Sequence, residues 1–164
     1  MAKSTTSRSW FALAGFIAAS FTAGAIGSWA TIANVRTWYP LLNKPVWNPP
    51  SWIFGPVWSL LYILMGVAIW RAWRTEEGEN RPGMREVVVV YFVQLGVNAL
   101  WSVLFFGLKQ PGWALADILC LWLLLAWLQV RVWRIERTAG LLWLPYVLWV
   151  SFATLLNAAI VRLN

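Results

Sequence analysis

Residues 87–108 read VVVVYFVQLGVNALWSVLFFGL, with Glu86 just before the run, Lys109 just after it and no charge between them. A helix rises about 1.5 Å per residue, so this run reaches across the roughly 30 Å of hydrocarbon in a bilayer. The strict alternation of a lipid-facing β-strand is missing. Backbone in lipid must satisfy its own hydrogen bonds, which makes the run a transmembrane helix.

Four further runs of the same kind flank it. Ser9–Val35, Pro45–Trp70 and Thr138–Val161 carry no charge, and Gln110–Val130 carries only Asp117. Pro45, Pro49 and Pro50 resist helix and set the second start near Ser51. The sequence therefore predicts an all-α integral membrane protein, a five-transmembrane-helix bundle in one membrane domain over 1–164. Its helices are expected near 9–32, 51–73, 86–108, 112–133 and 139–161. Composition agrees: 60% of the 164 residues are apolar and 12% are charged, about half the roughly 25% of a soluble domain.

The first run, preceded by Lys3 and Arg8 and containing Ala23-Gly24-Ala25, has features of a cleavable leader. It is too long for an ordinary leader core, so it is expected to stay as a helix. Gly15, Ala19, Ala23 and Gly27 form a ladder of small residues suited to close helix packing, including packing against a second copy.

Nine of the 13 basic residues fall on one side of such a bundle: Lys3, Arg8, Arg71, Arg74, Arg81, Arg85, Arg131, Arg134 and Arg137. Arg36, Lys44, Lys109 and Arg162 fall on the other. The excess of positive charge places the N-terminus in the cytoplasm and the loop 34–50 opposite, with inner and outer membrane both open. The net charge of +7 then has a membrane explanation and calls for no nucleic acid. The link from Thr75 to Arg85 reads as a solvated turn. The loop from Asn34 to Pro50 is long, proline-stiffened and aromatic, and reads as a lid over one end of the bundle.

With no histidine and one cysteine, Cys120, the chain lacks the groups for Ser-His or Cys-His catalysis, a disulfide or a His/Cys metal site. No metal site is expected. Fifteen tryptophans are the conspicuous resource. Trp10, Trp70, Trp73, Trp133 and Trp143 lie near span ends and are expected to be interfacial anchors. Trp58, Tyr62 and Met65 share one face of the second helix; Gln94, Asn98, Trp101 and Phe105 share one face of the third; Trp149, Ala153 and Asn157 share one face of the fifth. Converged, these faces would form an apolar pocket with a few orienting amides, the small Ala153 leaving room. Asn98 and Asn157 serve equally well as hydrogen-bonding braces between helices. Asp117, the sole carboxylate inside a span, has no proton-relay partner and is read, with Gln94, as a structural polar brace.

The motifs Trp38-Tyr39, Lys44-Pro45-Val46-Trp47-Asn48-Pro49-Pro50 and Gly55-Pro56-Val57-Trp58 with Leu61-Tyr62 resemble the translocator protein family, whose bacterial members are called tryptophan-rich sensory proteins, TspO. The resemblance continues through Gln94-Leu95, Asn98, Trp101, Phe105-Phe106-Gly107, Gly112-Trp113-Ala114-Leu115, Asp117, Leu144-Pro145-Tyr146, Trp149, Phe152-Ala153-Thr154 and Leu156-Asn157. It implies a homodimeric membrane protein that needs no cofactor. It implies that the pocket binds porphyrins such as protoporphyrin IX or haem, and isoquinoline- or benzodiazepine-type drugs, in tetrapyrrole transport or stress sensing. Trp38, Tyr39, Trp47, Trp58, Tyr62, Asn98, Trp101, Trp149, Ala153 and Asn157 are the candidate ligand contacts. Arg36 and Lys44 are candidates for pairing with porphyrin carboxylates, or are simply solvated loop charges. Sterol binding, reported for mitochondrial members, is doubtful here, because the next basic residue after Tyr146 is Arg162. Two alternatives accompany the binding role. One is light- and oxygen-dependent porphyrin degradation with Trp58 and Trp149 as electron donors, and the other is a structural membrane partner whose ligand binding is incidental.

Overall fold

The computed structural model describes residues 2–75 and 83–164 and is helical, without strands, across them. Its helices are α1 (Ala2–Val35), α2 (Phe54–Arg74), α3 (Met84–Ser102), α4 (Pro111–Ile135) and α5 (Arg137–Leu163). A π-helical turn, Val103–Gly107, prolongs α3, and short 3-10 turns at Tyr39–Leu41 and Ser51–Ile53 structure the long loop. Five stretches are long and apolar enough to cross a membrane: Ser9–Val35, Ser51–Arg74, Met84–Gly107, Pro111–Ile135 and Arg137–Leu163. They fall where the charge-free runs put them. The expected solvated turn from Thr75 to Arg85 lies mostly outside the described residues.

Between 28% and 33% of the most apolar part of each span is buried within the bundle. Phe11, Trp29, Ile32 and Trp113 are each at least 70% exposed. Water penalises apolar surface by roughly 25 cal/mol per Å², so an exterior of this kind belongs in lipid. The protein is a multi-pass integral membrane protein.

The helices close into a ring: α1 packs on α2 and α3, α2 on α5, α5 on α4, and α4 on α3. The half of the ring away from the long loop is filled. Met65, Ile69, Tyr91, Leu125, Leu128, Trp143 and Tyr146 are all fully buried there. Trp143 is therefore no interfacial anchor. Its indole N–H donates to the Leu125 carbonyl at 3.3 Å, and its ring meets Tyr146 edge-on at 5.6 Å. Trp70 is also buried, donating to the Ser9 carbonyl at 2.7 Å. Position near a span end fixes a ring's depth but not the direction in which it points. Trp10 and Trp133 do face outward.

The small-residue ladder on α1 splits for a related reason. Each four-residue step advances about 40° around a helix, so the ladder winds off any one face. Ala23 and Gly27 are buried, whereas Gly15 has open space where a Cβ would stand. The packed face is Phe16, Ser20, Ala23, Gly27 and Ala30. Close approach is needed at Gly66, where a Cβ would come 2.9 Å from the Ile17 Cα.

One junction is secured electrostatically. Glu136 caps α5 by accepting from the Thr138 and Ala139 amides at 3.2 and 2.6 Å. Its carboxylate also receives Arg71 in a two-pronged pair at 3.0 and 3.1 Å. The Arg71 bonds, with the amide bonds adding, hold the Glu136 carboxyl down at about 2. The end of α2 is thereby tied to the α4–α5 corner.

Candidate ligand-binding site

Between the filled half and the long loop the ring encloses a cavity of about 560 Å³, inside the roughly 300–1,000 Å³ range of ligand sites. Trp58 and Tyr62 from α2, Asn98 and Trp101 from α3, and Trp149, Ala153 and Asn157 from α5 all line it. Their helical spacing turned them to one side, and the ring turned the three sides toward each other. Tyr39 reaches in from the loop. None of the described lining residues is charged.

The aromatic walls are ordered by mutual contact. Trp58 stacks on Tyr62 at 5.5 Å and meets Tyr146 edge-on at 6.1 Å. Trp101 stacks on Phe105 at 5.0 Å. The π-helical turn widens the helix by one residue and presents both Phe105 and Phe106 to the cavity and the loop above it.

The amides act as braces. Asn98 donates to the Tyr146 hydroxyl at 3.1 Å, and that hydroxyl donates to Gln94 Oε1 at 2.9 Å, joining α3 to α5. Asn157 accepts from the Trp101 indole at 3.0 Å and donates to the Pro111 carbonyl at 2.9 Å, joining α5 to α3 and α4. A polar network inside a bundle fixes which faces meet. The Trp149 indole N–H, by contrast, is buried and has no partner, as is Gln94 Nε2.

Several candidates sit outside the cavity lining. Trp38 packs edge-on against Phe105 and Trp47 against Phe152, each at 5.8 Å, so both buttress the roof. Lys44 donates to the carbonyls of Tyr39, Pro40 and Leu42 at 2.9, 3.2 and 2.7 Å, and lies over the Tyr39 ring. Its three ammonium protons thus hold the loop together. Arg36 is exposed and stands away from the lining. Asp117 does not form the expected brace: its Oδ2 is buried without a partner, and the residue is not part of the wall. No cluster of three or more His, Cys, Asp or Glu side chains able to hold a metal occurs among the described residues.

The roof is itself latched. Tyr39 donates to Asn48 Oδ1 at 2.9 Å, and burial pushes its phenol above the usual value of 10. The Asn43 amide donates to Asn164 Oδ1 and Asn164 Nδ2 donates back to the Asn43 carbonyl, both at 3.0 Å. Sequence reasoning missed this latch, and it missed the contribution of α1. Gly24, Ser28, Thr31 and Val35 also line the cavity. Their spacing of four, three and four was the available signal, overshadowed by the search for aromatic rings.

A ring of five transmembrane helices around an uncharged aromatic cavity, roofed by a latched loop, defines a class of small multi-pass membrane protein with an intramembrane chamber. The chain belongs to the TspO/MBR family, whose model matches residues 16–163. It is 43% identical over 148 residues to the tryptophan-rich protein TspO of Archaeoglobus fulgidus, covering 90% of this chain and 94% of that one. It is 36% identical to the tryptophan-rich sensory protein of Cereibacter sphaeroides, over 94% of this chain and 92% of that one. It is likewise 36% identical to the human translocator protein, over 94% of this chain and 91% of that one.

Proposed function

We propose that this protein binds porphyrins, protoporphyrin IX or haem, in the chamber beneath the long loop, and that binding serves tetrapyrrole transport or stress sensing. The observation that carries the reading is a ligand-sized cavity walled by Trp58, Tyr62, Trp101 and Trp149 with no charged residue in its described lining. Flat aromatic rings gain about 0.5–1.5 kcal/mol per pair from stacking beyond simple burial. The same wall suits uncharged isoquinoline- or benzodiazepine-type molecules. Porphyrin carboxylates find no cation in it and are best placed toward the loop, where Arg36 stands. The names of relatives in which sensing and translocation appear support the coarser role. The protein needs no cofactor in this reading, works as a homodimer and keeps its N-terminus in the cytoplasm.

A protoporphyrin IX titration of the purified protein, followed in the dark by tryptophan fluorescence, tests it. Saturable quenching is expected, weakened several-fold by Trp149→Phe. Ala153→Leu is expected to exclude bulky drugs. Quenching no stronger than that of an unrelated membrane protein would leave only a structural membrane role.

A second reading draws on the contact of Trp58 with two phenol rings, Tyr62 and Tyr146. Indole and phenol are readily oxidised, so an illuminated porphyrin held there in air would find electron donors, Trp58 and Trp149 among them. A new absorbing product formed only under light and oxygen is the result expected for that degradation.

A further inference from the structure

We infer that ligands reach the chamber sideways from the bilayer, through a slot between α1 and α2 in the leaflet on the side of the long loop. The inference rests on the proposed ligand-binding role.

The slot follows from where α1 is fastened. Its lower part is bound to α2. The Trp70 indole donates to the Ser9 carbonyl at 2.7 Å, Gly66 lies against the Ile17 backbone, and Phe21 packs on the Tyr62 ring at 5.6 Å. Its upper part is bound to α3 instead. Gly27 lies against Ser102 with room for no Cβ, and Ala30 adjoins Gly107. Asn34 then donates to the Phe106 carbonyl at 2.8 Å. A straight helix that changes partners leaves a gap beside the partner it abandons. Above the Gly24–Tyr62 contact, Ala25, Ser28 and Ile32 of α1 and Gly55 and Ser59 of α2 all line the cavity, and all are exposed. A residue that touches both the chamber and the surroundings marks a mouth. Nothing stands within 4 Å of a Cβ built on Gly55, so this rim is unobstructed.

The vertical route is closed. Tyr39 and Trp38 pack on Phe105, Trp47 packs on Phe152, Lys44 knits the loop carbonyls, and Asn43 and Asn164 latch the loop to α5. Opening that roof breaks several contacts at once, whereas the slot needs none broken. The ligand class follows: flat or elongated apolar molecules already partitioned into lipid, with polar groups confined to one edge that trails at the headgroups.

Stopped-flow binding of protoporphyrin IX to protein in lipid nanodiscs tests the route with Ser59→Trp, which sets a ring across the slot, and Asn164→Ala, which removes the side chain that holds the Asn43 backbone and so releases the roof latch. For Ser59→Trp, association and dissociation rates should both fall by about tenfold, a barrier increase of about 1.4 kcal/mol, with the dissociation constant little changed. Asn164→Ala should leave both rates as they were. Faster dissociation with weakened affinity in Ser59→Trp, or faster exchange in Asn164→Ala alone, would overturn the inference. A second measurement needs no ligand: a nitroxide attached at Ser28→Cys in a Cys120→Ser background. Collisions with lipid-dissolved oxygen should exceed those with a water-soluble nickel chelate, and the reverse order would show a water-filled opening. If porphyrin does not bind the unaltered protein, the functional reading fails, and the nitroxide alone decides whether the slot opens to lipid.

Discussion

Lys109 holds a left-handed backbone conformation, with φ of 57°, in the tight link between the π-helical turn and α4. A side chain there costs about 1–2 kcal/mol that glycine avoids. Part of that gain is returned, because glycine also loosens the unfolded chain. Lys109→Gly is therefore expected to raise the thermal midpoint in detergent by a degree or more, and a lowered midpoint would assign Lys109 a stabilising contact that outweighs its backbone strain. Single residues were unevenly legible. Trp58, Tyr62, Asn98, Trp101, Trp149, Ala153 and Asn157 line the chamber, since the helical repeat sets them on one side of each helix and the ring turns those sides together. Trp143 and Trp70 escaped, since sequence position reports a depth and the neighbouring helix decides whether a ring turns outward. Asp117 reads as a brace in the sequence, yet its buried oxygen has no donor opposite it. Whether a partner stands across a helix interface is knowledge that only the assembled ring contains.

Elements are secured mostly at their ends. Glu136 holds the first turn of α5 and the last turn of α2 together. Replacing it with alanine removes a cap worth about 0.5–2 kcal/mol, and the partly exposed ion pair adds little to that. The acid response gives the sign. The carboxyl sits at about 2 in the folded protein against an ordinary 4.5. Its contribution is therefore complete above 4.5 and lost as pH falls through 2. Unfolding measured at pH 7 should show Glu136→Ala less stable, with the gap to the unaltered protein narrowing below pH 4.5 and closing near 2. A gap independent of pH would mean that packing, not charge, is responsible. The π-helical turn at Val103–Gly107 was invisible beforehand. Phe105-Phe106-Gly107 keeps its apolar character whether a turn holds four residues or five, so no periodicity announces the change.

The whole architecture was the most legible level, because crossing lipid is a demand on length and charge that each run meets or fails by itself. Orientation rests on the nine basic residues of one side against the four of the other. Val46 stands fully exposed at the crest of the loop. In a Cys120→Ser background, Val46→Cys should react with a membrane-impermeant maleimide added outside intact cells. Labelling only after lysis would reverse the orientation. Ring order, in contrast, could not be read from the runs. The five runs are alike in composition, and only the interlocking of Gly27 with Ser102, Gly66 with Ile17, and Asn157 with Trp101 tells each helix which neighbours to choose.

That ring order bears on how the molecule is made. Helices leave the ribosome in chain order, yet α5 belongs between α2 and α4. A nascent chain that has inserted four helices is consequently an open crescent. Its Trp101 indole lacks Asn157, its loop lacks Asn164, and Arg71 faces a junction not yet turned. Arrival of α5 satisfies all three together, so biogenesis passes from an incomplete wall to a completed ring in one late event. A cell's membrane quality control would meet the unpaired Trp101 and Arg71 as marks of an unfinished product.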